Sequence, residues 1–252
     1  MEPGAAHLGT WNGFHKPCEV IMAIKQDWKD TVQRGVTDAR WDEYDNMVRQ
    51  EFANYNCRFG VAANWLIGKA ILWTESGGPD NPSWKTRPMQ IGNPGDPGFG
   101  VLKDGKEGSQ VIMEPSLFAA VKGGQVNVPG VNVRAGIAYL FTRMAKWAEK
   151  SIPDDKDRQT FTYTVVRNDS LWSIAQSNGT TVEELKKMNP AAAAGIKPGQ
   201  KLNYHKAKMG LAIESWRAWQ SAIIASRYNV GDPDYGAKLD YLLTSVFPQI
   251  HR

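Results

Sequence analysis

The sequence predicts an α+β protein: a mainly helical body with a small β-hairpin region, joined to a compact unit that contains both strands and helices. Apolar residues recur at three- to five-residue spacing through most of the chain, which is typical of amphipathic helices. One short segment, 161–205, instead has the pattern of two strands that enclose two short helices. The 252 residues, 42% of them hydrophobic, are sufficient for one large and one small domain.

The helical body is predicted from its apolar periodicity. Residues 19–34 and 37–53 are amphipathic, and residues 61–74 are apolar on almost every side, which indicates a helix at the centre of the body. After the small unit, residues 211–228 and 235–246 predict the last two helices. The first 55 residues are taken as a helical N-terminal extension.

Between residues 76 and 130 the composition changes to that of loops and turns. This stretch holds 11 of the 24 glycines and 7 of the 14 prolines. Asp104-Gly105 is a favoured tight-turn pair, and with residues 110–113 it predicts a small β-hairpin. A helix is expected again over 133–150, and the polar stretch 151–159 predicts a linker.

Charge and cysteine content exclude several classes of function. The net charge of +4 comes without a basic run, so no nucleic acid is expected as a partner. No apolar run approaches the ~20 residues that membrane insertion requires. Cys18 and Cys57 form neither a disulfide framework nor a metal set, and two buried thiols are favoured over a bridge. The four histidines are scattered, so no metal and no cofactor are expected.

The small unit has a pattern that can be named. In order, residues 162–204 contain a Tyr-Thr-Val strand, an Asn-Asp-Ser-Leu turn, a Trp-Ser-Ile-Ala helix, a Val-Glu-Glu-Leu helix, an Asn-Pro pair and a closing Ile-Lys-Pro-Gly-Gln-Lys-Leu. This segment resembles a LysM domain along its whole length. Asn168 stands where the family pattern has Gly, and Asn tolerates a positive φ better than most residues.

The resemblance implies a βααβ module that binds glycan containing N-acetylglucosamine in a groove between two loops. The hydrophobic side chains are expected in the core of the module rather than on the ligand, namely Leu171, Trp172, Ile174, Leu185 and Leu202. The candidate glycan-binding residues are the loop positions Asn168, Asp169, Ser170, Leu171, Asn189, Pro190, Ile196 and Lys197.

Glu75 is the first candidate for catalysis, because it ends the apolar segment beside Leu72 and Trp73. Burial disfavours a charged carboxylate, so the pKa of such a group rises and the group stays protonated. A protonated carboxylic acid can donate a proton to a leaving group. The alternative at this position is an ordinary helix-end residue exposed to water.

Four short motifs strengthen the catalytic hypothesis. They are Glu75-Ser76, then residues 88–91 (PMQI), residues 132–140 (NVRAGIAYL) and residues 225–229 (ASRYN) followed by Gly. In this order they resemble the goose-type lysozyme and soluble lytic transglycosylase superfamily. The departures are Arg-Pro in place of Gly-Leu before Met-Gln, and Val230 where Ala is common.

The resemblance implies a role for each matching position in a lysozyme-like catalytic domain. These roles are Glu75 as the general acid, Ser76 and Gln90 as lining of the cleft, Met89 beneath the sugar, Tyr228 as a hydrogen-bond partner of Glu75, and Asn229 as a glycan contact. Inverting hydrolysis needs a second carboxylate to activate water, whereas a lytic transglycosylase uses a hydroxyl of the sugar. Asp96 is the first choice for that carboxylate, with Asp80 and Asp104 as weaker choices; a turn-forming role for Asp96 is an equal alternative.

We therefore expect a glycoside hydrolase, a muramidase that cleaves β-1,4 bonds between N-acetylmuramic acid and N-acetylglucosamine in peptidoglycan. A lytic transglycosylase is the second choice. A non-catalytic peptidoglycan-binding component of a phage tail or secretion machine is the alternative from another class.

The order of the motifs predicts the domain organisation and the partners. Because Tyr228 follows the LysM-like segment, that segment (161–205) is expected to be inserted into the catalytic domain (1–160 and 206–252). A monomer that binds peptidoglycan glycan strands is expected, with a periplasmic immunity protein or a secretion-machine carrier as further candidate partners. The start of the chain lacks the pattern of a secretory signal, so we expect cytoplasmic synthesis and delivery to the cell wall as a phage endolysin or a type VI secretion effector.

Overall fold

The computed structural model describes residues 24–154, 156–157 and 159–250, and in these ranges the protein is mainly helical with two small sheets. One buried apolar cluster belongs to a large helical body, and a second belongs to a small unit, residues 161–204. An α+β class with a small β-containing unit is confirmed. Residues 19–23 of the first expected helix lie outside the described residues.

Short α-helices joined by 3₁₀ turns build the helical body. Before the small unit they are α1 (Gln26–Gln33), α2 (Asp45–Phe59), α3 (Leu66–Ser76), α4 (Pro97–Asp104), α5 (Ser109–Ile112), α6 (Pro115–Lys122) and α7 (Pro129–Met144). The small unit contains β2 (Phe161–Thr164), α8 (Leu171–Asn178), α9 (Val182–Met188) and β3 (Lys201–Tyr204). After it come α10 (Ser221–Tyr228), α11 (Tyr235–Tyr241), a π-helical segment (Leu242–Val246) and α12 (Phe247–Ile250).

Helix α3 lies at the centre of the body, as its apolar pattern predicts. Ile71 and Trp73 are fully buried, and Gly68 lets α2 approach so closely that an added Cβ would lie 2.5 Å from Phe52. The helix ends because Gly77 takes a left-handed φ of 68° and donates its N–H to the carbonyl of Trp73. Glu75 therefore stands on the last turn of a helix that is otherwise surrounded by protein.

The β-hairpin expected from the Asp104-Gly105 pair is wrong. Residues 97–112 form helices α4 and α5 instead. Pro97 occupies the first turn of α4, and Asp96 caps that helix by accepting the N–H of Gly98 at 2.7 Å. Gly105 does have a positive φ, 68°, but uses it to end α4. A glycine of this kind serves a helix end as well as a hairpin turn.

Two strands, β1 (Ala145–Pro153) and β4 (Ala207–Trp216), form an antiparallel ribbon between the body and the small unit. Their pairing runs from Ala145 opposite Trp216 to Pro153 opposite Ala207, with a register shift after Lys146. The expected helices 133–150 and 211–228 are therefore shorter, since α7 stops at Met144 and α10 begins at Ser221.

Pairing inside the small unit explains the ribbon. Strand β2 pairs with β3, and Phe161 faces Tyr204, so the chain enters and leaves the unit at neighbouring positions. The segments before and after the unit can then pair with each other along their backbones. Such a contact between distant segments leaves no local signal, and the apolar spacing that continues through Trp147 and Trp216 predicts helix at both places.

The small unit has the predicted order of strand, helix, helix and strand. Ile174, Leu185 and Leu202 are buried in its core, as expected. Trp172 is different, because 67% of its surface is exposed. On α8 the inward face carries Ile174 and Ala175, and Trp172 points away from it. The expectation of a core position for Trp172 is wrong.

Two surface expectations can also be compared with the structure. Cys57 on α2 is exposed and its thiol is free, so the expected buried thiol is wrong at this position; Cys18 lies outside the described residues. Across the ranges that the structure describes, no helix is both long enough and apolar enough to span a bilayer.

Replacing Gly136 with Ala tests the packing of the 88–91 loop against α7. An added Cβ would lie 2.6 Å from the Cβ and 2.7 Å from the Sδ of Met89. We expect Gly136→Ala to lower the free energy of unfolding by about 1–3 kcal/mol, as overpacking does. Denaturant titration measures the change.

Gly100→Ala is the matched control, because Gly100 lies within α4 and an added Cβ meets no atom within 4 Å. We expect it to stabilise the protein by up to about 1 kcal/mol through helix propensity. Equal effects of the two substitutions would contradict the close contact between Met89 and α7.

Candidate functional site

A cleft of about 560 Å³ opens in the helical body. Its walls come from the end of α3, the loop that leads into α4, the second half of α7, and the end of α10 with the loop that follows. Most of the predicted catalytic and substrate-binding residues meet there, namely Glu75, Met89, Gln90, Asp96, Tyr228 and Asn229. Lining residues for which the sequence predicts no individual role include Tyr139, Arg143, Glu107 and Arg227, of which Tyr139 and Arg227 lie within the quoted motifs.

Glu75 lies at the cleft with one carboxylate oxygen held by two donors. Its Oε1 accepts a hydrogen bond from the hydroxyl of Tyr235 at 2.7 Å and a longer one from Nδ2 of Asn229 at 3.4 Å. Burial raises the pKa of Glu75 above its ordinary value, the two donors oppose the rise, and the negative charges of Asp232 and Asp96 add to it. The net direction is upward, which favours the protonated acid.

The tyrosine that binds Glu75 is Tyr235, and the expected contact from Tyr228 is wrong. Tyr235 is the first residue of α11 and is buried. The buried hydroxyl of Tyr228 has no hydrogen-bond partner among the described residues. The ring of Tyr228 packs against Tyr235 at 6.2 Å and against Tyr139 at 5.3 Å between centroids. The short motif contains Tyr228, whereas the turn after α10 brings Tyr235 to the carboxyl group of Glu75.

Asp96 makes the turn-forming contacts that were one of its two alternatives, and it also lies at the cleft. Its Oδ1 accepts the N–H of Gly98 at 2.7 Å, and its Oδ2 accepts the N–H of Gly92 at 2.8 Å. It is therefore the N-cap of α4 and a clamp on the preceding loop, and it also lines the cleft. Both oxygens are held by backbone donors, so the carboxylate has a defined orientation.

Asn132, on a buried face of α7, organises the loop beside the cleft and was not recognised as a functional position. Its Oδ1 accepts the N–H of Met89 at 2.9 Å, and its Nδ2 donates to the carbonyls of Ile91 and Val126, both at 2.8 Å. The loop it holds contains Gln90, a non-glycine residue with a positive φ of 57°. Backbone strain of this kind persists only where the surroundings impose it.

Three predicted cleft residues differ in their accessibility. Ser76 does not line the cleft: it is fully buried, and its hydroxyl donates to the carbonyl of Leu72 at 2.7 Å, so that expectation is wrong. Met89 lines the cleft but is only 1% exposed, so it serves mainly as packing. Gln90 is partly exposed. Its side-chain Nε2 donates a hydrogen bond to the carbonyl of Arg87, and its Oε1 accepts one from Nδ2 of Asn93.

The far end of the cleft is charged. Arg143 forms an ion pair with Glu107 and donates Nε to the carbonyl of Arg227 at 3.1 Å. In the part of the chain that the structure describes, no three His, Cys, Asp or Glu side chains are grouped so that they could hold a metal ion.

In the small unit, the first predicted glycan-binding loop has a defined geometry. Asn168 takes the expected positive φ, 70°. Oδ2 of Asp169 accepts the hydroxyl of Tyr163 at 3.0 Å and the N–H of Val166 at 2.8 Å. Ser170 caps α8 at its first turn, and the next residue, Leu171, is partly buried.

The second predicted loop is tied to strand β3. Asn189 exchanges two hydrogen bonds with the backbone of Asn203, at 2.9 and 2.6 Å. Pro190 begins a 3₁₀ turn and is exposed, Ile196 is partly buried, and Lys197 is exposed. The exposed positions of both loops are available to a ligand.

Comparisons with known proteins agree with the fold of the small unit. Residues 163–203 match the family model of the LysM domain. The chain is similar to probable endopeptidases p60 from Listeria seeligeri (56% identical over 41 residues, 16% of this chain and 8% of that protein) and Listeria innocua serovar 6a (36% over 86 residues, 34% and 16%). The probable endopeptidase p60 of Listeria welshimeri is 56% identical over 41 residues. No solved structure matches.

These findings identify a peptidoglycan-binding LysM domain and similarity to p60 along the LysM region. The matched part spans between 8% and 16% of the length of the relatives from Listeria seeligeri and Listeria innocua. The expected enzyme class, glycoside hydrolase with lytic transglycosylase as second choice, is contradicted, because the relatives are named endopeptidases, which are peptidases and not glycosidases.

Removing the side-chain amide of Asn132 is expected to loosen the loop beside the cleft. Asn132→Ala leaves one buried N–H and two buried carbonyl groups without their partner, and each such group costs about 1–3 kcal/mol. We expect a loss of about 3 kcal/mol in the free energy of unfolding, measured by denaturant titration. Asn54→Ala, at an exposed position of α2, is the control and should change it by less than about 0.5 kcal/mol.

Replacing Tyr235 with Phe is expected to raise the pKa of Glu75 further. The hydroxyl of Tyr235 stabilises the charged carboxylate, so its removal favours the protonated form. Carbon-13 NMR titration of glutamate-labelled protein measures this, with the Glu75 signal assigned from Glu75→Gln.

Tyr228→Phe is the matched control, because this hydroxyl makes no hydrogen bond to a described residue. It should leave the pKa of Glu75 in place. A lower pKa in Tyr235→Phe, or the same change in both variants, would contradict the role given to the hydrogen bond.

Proposed function

We propose that this protein is a peptidoglycan hydrolase. In this proposal the LysM domain holds the wall polymer, and Glu75 in the cleft of the helical body donates a proton to the departing group. The single observation that carries the proposal is the state of Glu75: a carboxyl group at an open cleft whose pKa is raised by burial and whose one oxygen is held by Tyr235.

The chemistry needs an acid that is protonated at the pH of the reaction and can lose its proton in the transition state. Burial raises the pKa of Glu75, which favours the protonated form before reaction. Once the proton has moved to the leaving group, the hydrogen bond from Tyr235 stabilises the carboxylate that remains. Thus the same environment supports both states of the acid.

We assign to Asp96 the activation of the water molecule that attacks the substrate. Asp96 lines the same cleft, and the N–H groups of Gly92 and Gly98 fix its orientation. A carboxylate in that position can accept a proton from water as the water attacks. The proposal thus assigns one carboxyl group to each proton transfer, and the products identify the class of bond that is cut.

The LysM domain contributes by concentrating the polymer near the cleft. The paired strands of the ribbon connect it to the helical body through β1 and β4, which follow α7 and precede α10. Two helices that line the cleft are therefore continuous with the ribbon. Attachment through two paired strands restricts the domain more than one flexible linker would, which raises the effective concentration of bound polymer.

Digestion of purified sacculi tests the proposal. The wild-type protein is expected to release soluble fragments, and Glu75→Gln should reduce the rate at least about 100-fold while binding to sacculi remains. Asp96→Asn should also reduce it. The rate should fall as pH rises through the pKa of Glu75, because the acid must be protonated; this fall should occur at higher pH than for an ordinary Glu.

Glu149→Gln is the matched control, since it makes the same change at an exposed position of the ribbon and should digest at the wild-type rate. Mass spectrometry of the fragments shows whether new amino groups or new sugar ends have formed. An active Glu75→Gln variant would contradict the proposal. Binding without any release by the wild type would leave a peptidoglycan-binding protein without this activity.

A further inference from the structure

A group of arginines at the far end of the cleft is not used by the proposed reaction. Arg143, Arg217 and Arg227 line a pocket of about 150 Å³ together with Glu107. Three of these four residues, Arg143, Arg227 and Glu107, also line the cleft that contains Glu75. The small pocket is therefore a continuation of the cleft.

The pocket carries more positive than negative charge. Three guanidinium groups face one carboxylate, a surplus of two positive charges. Glu107 pairs with Arg143, whereas neither Arg217 nor Arg227 forms an ion pair with any residue that the structure describes. Burial, and after it the positive charges of Arg227 and Arg143, lower the pKa of Arg217. Bringing these cations together is unfavourable unless an anion joins them.

Part of this cluster serves the fold. Arg217 donates Nη1 to the carbonyls of Arg143 and Ala145, and so satisfies carbonyl groups at the end of α7. The same two hydrogen bonds hold the guanidinium group of Arg217 at the wall of the pocket. Arg227 is exposed at the last turn of α10, and no hydrogen bond from its side chain to a described residue is present. A structural role does not account for Arg227.

We propose that Arg217 and Arg227 form a subsite for a carboxylate carried by the substrate, such as those on the peptide stems of peptidoglycan. This inference rests on the proposed function, since it places the reacting part of the polymer at Glu75 and an acidic substituent at the arginines. Guanidinium groups bind planar carboxylates through paired hydrogen bonds, which gives orientation as well as affinity. The subsite selects polymer that carries acidic peptide over bare glycan.

Calorimetric titration of the full-length Glu75→Gln protein tests the subsite without turnover. The two probes are a disaccharide-tetrapeptide with free carboxylates and the same compound with every carboxylate amidated. We expect the acidic probe to bind at least about tenfold more tightly, as hydrogen bonds between charged groups do. Adding Arg227→Gln should remove most of this preference.

Arg167→Gln is the matched control, because Arg167 is exposed on the first loop of the LysM domain and lies outside the pocket. It should keep the preference, and a loss there would place the recognition in the LysM domain and overturn the inference. Equal binding of the two probes would also overturn it. Arg217→Gln adds a second test, with circular dichroism to confirm that α7 is retained.

The outcome is separable from that of the proposed function. A preference that depends on Arg227 supports the subsite even if sacculi are not digested, because binding is measured with an inactive variant. Digestion of sacculi without any such preference supports the hydrolase and overturns the subsite.

Discussion

The hydrogen bond from Tyr235 to Glu75 joins the two halves of the helical body at the cleft. Glu75 ends the central helix α3, and Tyr235 begins α11, after the small unit and the ribbon. Helix α3 presents its carbonyl end to this carboxyl group, and that end of the helix dipole also disfavours negative charge. The environment of the Glu75 carboxyl group therefore forms only when residues 160 positions apart are brought together.

The shape of the cleft depends on a buried amide as much as on the residues that face the solvent. Asn132 binds both ends of the short segment 89–91, and the Cα of Gly136 lies against Met89 one turn further along α7. Gln90 takes its left-handed backbone between these two anchors. Packing on α7 thus maintains the strained backbone of Gln90 at the cleft. Such strain lowers stability, and it is common where a surface is shaped for binding.

The ribbon explains how a LysM domain can lie within the sequence of a helical body without dividing its core. The unit begins and ends on paired strands, so its two connections run side by side and need only one exit from the body. The body closes again as α10 packs against α7 and α11. The cleft is built from helices on either side of this exit, which links polymer binding to the proposed site of reaction.

The sequence by itself determined the features that local pattern controls. The all-round apolar character of residues 61–74 was sufficient to predict a central helix that leads to Glu75, although the helix begins only at Leu66, and the ordered motifs of residues 162–204 were sufficient to predict the LysM domain. Tertiary structure decided what depends on distant partners. Tertiary contacts pair Ala145–Pro153 with Ala207–Trp216, place Tyr235 rather than Tyr228 beside Glu75, and bury Ser76. Backbone pairing and side-chain contacts across more than 50 residues leave no periodic trace in the chain, because each partner satisfies its local preferences equally well without the other.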